Sequence, residues 1–367
     1  MRALGAALGL VLAATLAAST IEGLACVAPP ASAPVVWRGE SWPEADRLFH
    51  SDPRWLGADA AFSIPLGGER VLWLFGDTFV ATSDRGLRSE SRMPRNTIAV
   101  QHGLDPSRAT IEFHWGQGAT SWMADEGERW FWPGHGVRLP GGPLVIFWSR
   151  VAATPGEGLG FRADGWKATL IENPDDAPAA WRARDLARPA FPAGILPAQG
   201  LVLEGEFVLG LAIREPGDHA GFALRIPAAE LARGELAGLE LWDGAWTRAS
   251  AASRPIPVLA DAAPECSVHF DRAARRYVHV RSLGFGATTL AIATAERLTG
   301  PWSEPAVLFR PPECDRERPF VYAGKAHPEL RGADLVATYA TNSFDFAEAV
   351  RDTSLYYPRF VRLTRVP

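Results

Sequence analysis

Asp59 and Asp77 stand at nearly equal distances on either side of a Gly67-Gly68 pair. Residues 55–78 read as two short apolar strands hinged at that pair, which supplies the positive φ angles of a tight hairpin. Pairing the strands brings both carboxylates to one open end, where they are costly unless solvated, paired or used. Each Asp alone could simply cap a turn. Together they match glycoside hydrolysis, in which one carboxyl group protonates the leaving oxygen and another acts as base or nucleophile. Cross-strand neighbours hold their Cβ atoms about 5 Å apart, and like charges that close push one pKa up, as a general acid requires. Glu265 is a third candidate, as acid or as modulator of the pair. Other chemistries fit less well. The chain has no Gly-x-Ser-x-Gly elbow, phosphate loop or His-Glu-x-x-His helix. No cofactor is expected. His135, His327 and the acids could hold an axial metal ion, but they show no ligand spacing.

The elements that would position these residues form a degenerate hairpin repeat. The first hairpin is echoed by residues 132–150, 196–214, 264–281 and 322–342, each an apolar pair of strands about a polar or Gly-bearing turn. Five copies at a spacing of roughly 60–75 residues predict an all-β fold, a five-bladed β-propeller with a central axial pocket. Residues 97–101 and 289–293 would add third strands. A two-sheet sandwich is the competing architecture. Helix signals are sparse, confined to residues 228–238 and 346–350, and residues 35–53 read as an irregular lead-in.

In a propeller the inner strand starts and the partner strand ends meet on one face. The inner starts would bring Asp59, His135, Gln199, Glu265 and Lys325 or His327. The partner ends would bring Asp77, Arg150, Arg214, Arg281 and Asn342. Strand ends are also polar simply because they meet water. A funnel of acids, imidazoles and guanidiniums, walled by Trp55, Trp122, Trp132 and Trp148, suits a polyhydroxylated ligand. Most of the 14 tryptophans belong to the core. His102, His114 and His219 read as surface or loop residues, and His269 and His279 as strand residues.

The chain has 367 residues and a net charge of −5 with no basic run, which argues against nucleic acid as a partner. Residues 1–33 read as a signal peptide, with Arg2 before an apolar run that is short for a membrane span. Gly23-Leu24-Ala25-Cys26 resembles a lipoprotein cleavage site, and Ala31-Ser32-Ala33 offers an ordinary one. Residues 34–367 would then be a single exported, monomeric domain, tied to a membrane only if Cys26 carries lipid. Cys266 and Cys314 could pair, as exported compartments permit, or remain two buried thiols.

Gly57-Ala58-Asp59-Ala60-Ala61-Phe62, Phe75-Gly76-Asp77-Thr78 and Met93-Pro94-Arg95-Asn96-Thr97 resemble the opening of a bacterial five-bladed propeller family, long without assigned function, that includes endo-D-arabinanases. Glu265-Cys266-Ser267-Val268, Gly300-Pro301-Trp302-Ser303, His327-Pro328-Glu329 and Tyr356-Tyr357-Pro358-Arg359 resemble its later motifs. The resemblance implies that Asp59 and Asp77 are the acidic pair and that Arg95 and Asn96 share their pocket. The expectation is a glycoside hydrolase acting on a furanoside-containing polysaccharide such as arabinan. Asp59, Asp77 and Glu265 would be catalytic. Arg95, Asn96, His135, Arg150, Gln199, Arg281, Lys325, His327 and Asn342 would bind substrate. The alternatives are a non-catalytic carbohydrate-binding propeller at the cell surface and, further off, a protein-interaction scaffold.

Overall fold

The computed structural model describes residues 36–156, 160–284, 286 and 288–366; the signal segment, and Cys26 with it, lies outside them. The described chain is all-β, with six antiparallel sheets. Five carry the hairpin repeat. The first runs Phe62–Gly67, Arg70–Phe75, Thr97–His102, Thr110–His114 from inside to outside. The second runs Arg129–Arg138, Leu144–Ala153, Phe161–Ile171, Ala183–Asp185. The third begins Ile195–Glu204, Phe207–Arg214, Gly221–Pro227 and adds two short strands. The fourth runs Cys266–Asp271, Arg276–Ser282, Leu290–Ala295, Ala306–Phe309. The fifth is Pro319–His327, Leu335–Ser343, Arg359–Val366 and, outermost, Val36–Ser41.

The innermost strands pack against one another in chain order. The fifth returns to the first through His327 Nδ1 and Ser63 Oγ, 2.6 Å apart. The sheets thus surround one centre, and their facing sides interlock through Val, Ile, Leu and aromatic residues buried between neighbouring sheets. Burial on both faces explains why these strands read as apolar runs rather than clean alternations.

Three features differ from expectation. Residues 36–41 are not an irregular lead-in; they pair along their whole length with Arg359–Val366. Their partner lies over 300 residues away, so no local pattern announces them. Residues 55–66 are not one strand. Trp55–Ala58 leaves to form a sixth, three-stranded sheet with Thr78–Ala81 and Ser91–Arg92, and the break falls at Ala60 and Ala61, whose φ angles are +65° and +56°. The hairpin turns at Gly68-Glu69 rather than Gly67-Gly68, with φ of +58° and +59° and Gly67 opposite Arg70. Short helices at Ala228–Ala232 and Phe346–Arg351 fall where the sequence allows them. Cys266 and Cys314 are two separate buried thiols, not a disulfide.

Candidate active site

A cavity of about 590 Å³ lies where the five sheets converge. Its wall takes Asp59 and Gly76 from the first sheet's open end, Trp132 and Ser149 from the second, and Gln199 and Ile213 from the third. Glu265 and Ser282 come from the fourth, Tyr322 from the fifth. The inner strands are not regular here. The pairing slips between Ile146 and Trp148, between Leu196 and Gly200, and between Tyr322 and Lys325. Such bulges bend a strand and re-aim its side chains. Ala60, Ala198, Ala263 and Ala323 all hold positive φ, a conformation that an L-residue keeps only where its surroundings impose it.

Asp59 is the best-developed group. Its Oδ2 accepts a hydrogen bond from Tyr322 Oη at 2.7 Å and a longer one from Tyr356 Oη at 3.4 Å. Gly76 makes room for it, since a Cβ at that position would lie 2.3 Å from Asp59 Oδ1. Burial, then the charges of Glu265 and Asp77, hold the Asp59 carboxyl well above the usual range, against the opposing pull of Tyr322 and Lys325. Glu265 faces the same cavity and accepts from Lys325 Nζ at 3.1 Å. Lys325 is itself buried and also donates to the carbonyls of Ala60 and Ala323. It braces Glu265 from beneath rather than reaching into the space.

Asp77 follows Gly76 and is held at the edge. Its Oδ1 accepts from Trp132 Nε1 at 2.8 Å and its Oδ2 from Arg95 at 3.1 Å. Burial raises its carboxyl pKa, and Arg95 and Trp132 oppose that rise. Arg95 also lies over the Trp130 ring at 4.5 Å.

The structure therefore brings Asp59, Glu265 and Gln199 onto one cavity wall, with Asp77 and Arg95 adjoining. The other expected binding residues are turned to different tasks. Asn96 is fully buried and bonded to the backbone of Met123 and Phe131. His135 accepts from Leu201 N–H through Nδ1 and so must donate from Nε2 to Ser63 O at 3.0 Å. Burial lowers its pKa to about 4. His327 lies between Ser63 and Thr338. Both rings of this pair have all their nitrogens engaged, and among the described residues no His, Cys, Asp and Glu group has the makings of a metal site.

Arg150 turns to Asp164, Arg214 to Asp218 and Arg281 to Asp261, and Asn342 bonds the backbone of Ser343. The cavity sees their neighbours Ser149, Ile213 and Ser282 instead. Side chains alternate along a strand, so an offset of one residue exchanges the two faces. Of the four proposed tryptophan walls only Trp132 lines the cavity; Trp55 and Trp148 are core, and Trp122 stacks on Trp148.

Sequence reasoning missed Tyr322, Tyr356, Asp261, Glu215 and His219. The two tyrosines sit within stretches singled out as motifs, which was the available signal. His219 lies in a loop, as expected, and from there lines the cavity, 3.1 Å from Glu215.

Comparison with known proteins supplies a partial frame. Residues 44–191 match a family described as a domain of unknown function, DUF5005. No curated protein matches the chain. A candidate hydrolase of Bacteroides ovatus superposes with a TM-score of 0.69, covering 89% of this chain and 90% of its own at 16% identity. The two share a fold. More distant is the catalytic domain of a GH62 α-L-arabinofuranosidase from Coprinopsis cinerea, at 0.45 and 10% identity over 86% of this chain and 93% of that one. An exo-β-1,3-galactanase of Phanerochaete chrysosporium reaches 0.48 at 9% identity over 85% and 61%. Likenesses below 0.5 are too remote to define chemistry.

Proposed function

We propose that this chain is a five-bladed β-propeller glycoside hydrolase, whose axial pocket cleaves a furanoside-containing polysaccharide such as arabinan. The observation that carries the reading is the contrast between two carboxyl groups facing one cavity. Asp59 sits among negative charges that, with burial, raise its proton affinity, whereas Glu265 accepts a hydrogen bond from Lys325 Nζ. Two carboxyl groups facing one cavity from such different surroundings are suited to acid and base roles. Asp59 would donate its proton to the leaving glycosidic oxygen, and the Glu265 carboxylate would act on the opposite side as base or nucleophile. Asp77 would raise the proton affinity of Asp59 through its charge. Trp132 would supply an indole wall for a sugar face.

Arabinan rests on the likeness of the opening motif to the arabinanase-containing family. The apolar leader of the sequence favours action outside the cytoplasm. The test is to incubate the purified protein with arabinans and other polysaccharides and size the products. Asp59→Asn and Glu265→Gln should each lose about 10²–10⁴-fold in turnover while affinity for oligosaccharide persists. Affinity with no product at any protein concentration would instead make the pocket a lectin site.

A further inference from the structure

A second cavity of about 420 Å³ adjoins the first between the second and third sheets. The two share Arg162, Ala163, Leu196, Glu215 and Pro216 as wall. We propose that this second cavity is a neighbouring subsite that takes a sugar bearing an oxyanion, with Arg162 and Arg188 as its receptors. The proposal rests on the reading of the first cavity as a glycan site.

The wall contains two carboxylates, and both are engaged. Asp164 accepts from Arg129 Nε and Arg150 Nε, each at 2.7 Å, so one acid already serves two guanidiniums. Glu215 Oε2 lies 3.1 Å from His219 Nε2, within ion-pair range. The two guanidiniums on the same wall have no such partner. Arg188 donates to the Trp166 carbonyl at 2.8 Å and stands 5.7 Å from the Trp166 ring, with no carboxylate in ion-pair range among the described residues. Arg162 is exposed and on the boundary of both cavities, and its side chain makes no ion pair or hydrogen bond among the described residues.

The cluster therefore carries surplus positive charge around a concave space, in a protein whose net charge is negative. Guanidinium forks bind planar carboxylates and phosphate oxygens through paired N–H groups. Trp166 and Phe191, 5.5 Å apart and edge to face, add an apolar side. A uronate carboxylate and a phosphate ester on a sugar present the same charge to such a site.

The experiment is equilibrium binding by the intact protein, read without reference to turnover. The probes are neutral arabino-oligosaccharides, arabinoxylo-oligosaccharides bearing glucuronate, and a phosphorylated oligosaccharide of equal length. The expected result is about tenfold tighter binding of an acidic probe over the neutral one in dilute buffer, shrinking as salt is added. The glucuronate and phosphate arms identify which oxyanion is preferred. The Arg162→Gln/Arg188→Gln double variant should erase the preference, and Arg188→Lys, which keeps the charge but loses the fork, should erase part of it. Equal affinity for neutral and acidic probes overturns the proposal, as does a preference that survives the double variant. The salt titration needs no variant, so poor folding of the double variant leaves the test intact. If neutral arabinan is cleaved but acidic probes bind no better, the hydrolase reading stands and this subsite falls. If acidic probes bind through the arginines and nothing is cleaved, the subsite stands and the hydrolase reading falls.

Discussion

Asp59 concentrates the cost of the site in one side chain. Its carboxyl holds a proton above the ordinary value of 3.8, first through burial and then through Glu265 and Asp77. Between the unfolded and folded values the native chain binds a proton that the unfolded chain has released. Stability therefore falls as pH rises through that window. Asp59→Asn removes the penalty, so its Tm should exceed the parent's at pH 7 and the gap should close below about pH 4. Melting curves across pH test this, and a variant less stable at every pH would contradict it. Asp77→Asn should act through the same carboxyl. Removing a nearby negative charge lowers the proton affinity of Asp59, so the alkaline limb of the pH–rate profile should move to lower pH. Gly76→Ala forces the Asp59 carboxylate aside. It should cost at least tenfold in kcat/KM with little change in Tm, because the displaced atoms belong to a side-chain end.

Among the elements, the hairpin pairs were readable because both strands and their turn are local in sequence. What faces the centre was not. Arg150, Arg214 and Arg281 are conspicuous polar strand ends, but each answers an aspartate, Asp164 on the adjacent strand or Asp218 and Asp261 in nearby turns and loops, and the adjoining Ser149, Ile213 and Ser282 face the cavity instead. Irregularities in three inner strands re-aim their side chains, adding one residue in the second and fifth sheets and two in the third, and no residue type announces a bulge made at alanine. Lys325 and Glu265 were chosen for their place in the repeat, and their mutual contact is visible only once the fourth and fifth sheets are side by side. The first turn offers a check at this scale. Both of its central residues need positive φ, and Glu69 is exposed with only a 3.4 Å ion pair to Arg331. Glu69→Gly should therefore stabilise the protein by about 0.5–1 kcal/mol in denaturant unfolding; a loss of stability would show that the ion pair outweighs backbone relief.

For the molecule as a whole, the sixth sheet is the part that no repeat could foretell, since it is made from segments flanking the first hairpin. It brings Arg88 to the carbonyls of Leu56, Ala349, Asp352 and Leu355, tying the beginning of the described chain to its end. The outermost strand of the fifth sheet does the same, with Val36–Ser41 lying along Arg359–Val366. Removing residues 36–41 would bare a strand edge, and exposed edges recruit other chains. The truncated protein should melt lower and associate on concentration, as light scattering can measure. There is also a consequence for biosynthesis. Val36–Ser41 leaves the ribosome more than 300 residues ahead of its partner strand, so the growing polypeptide holds one edge of the fifth sheet open over that interval. Until Arg359–Val366 has emerged, the nascent protein carries an unsealed seam that a chaperone or a neighbouring copy could occupy.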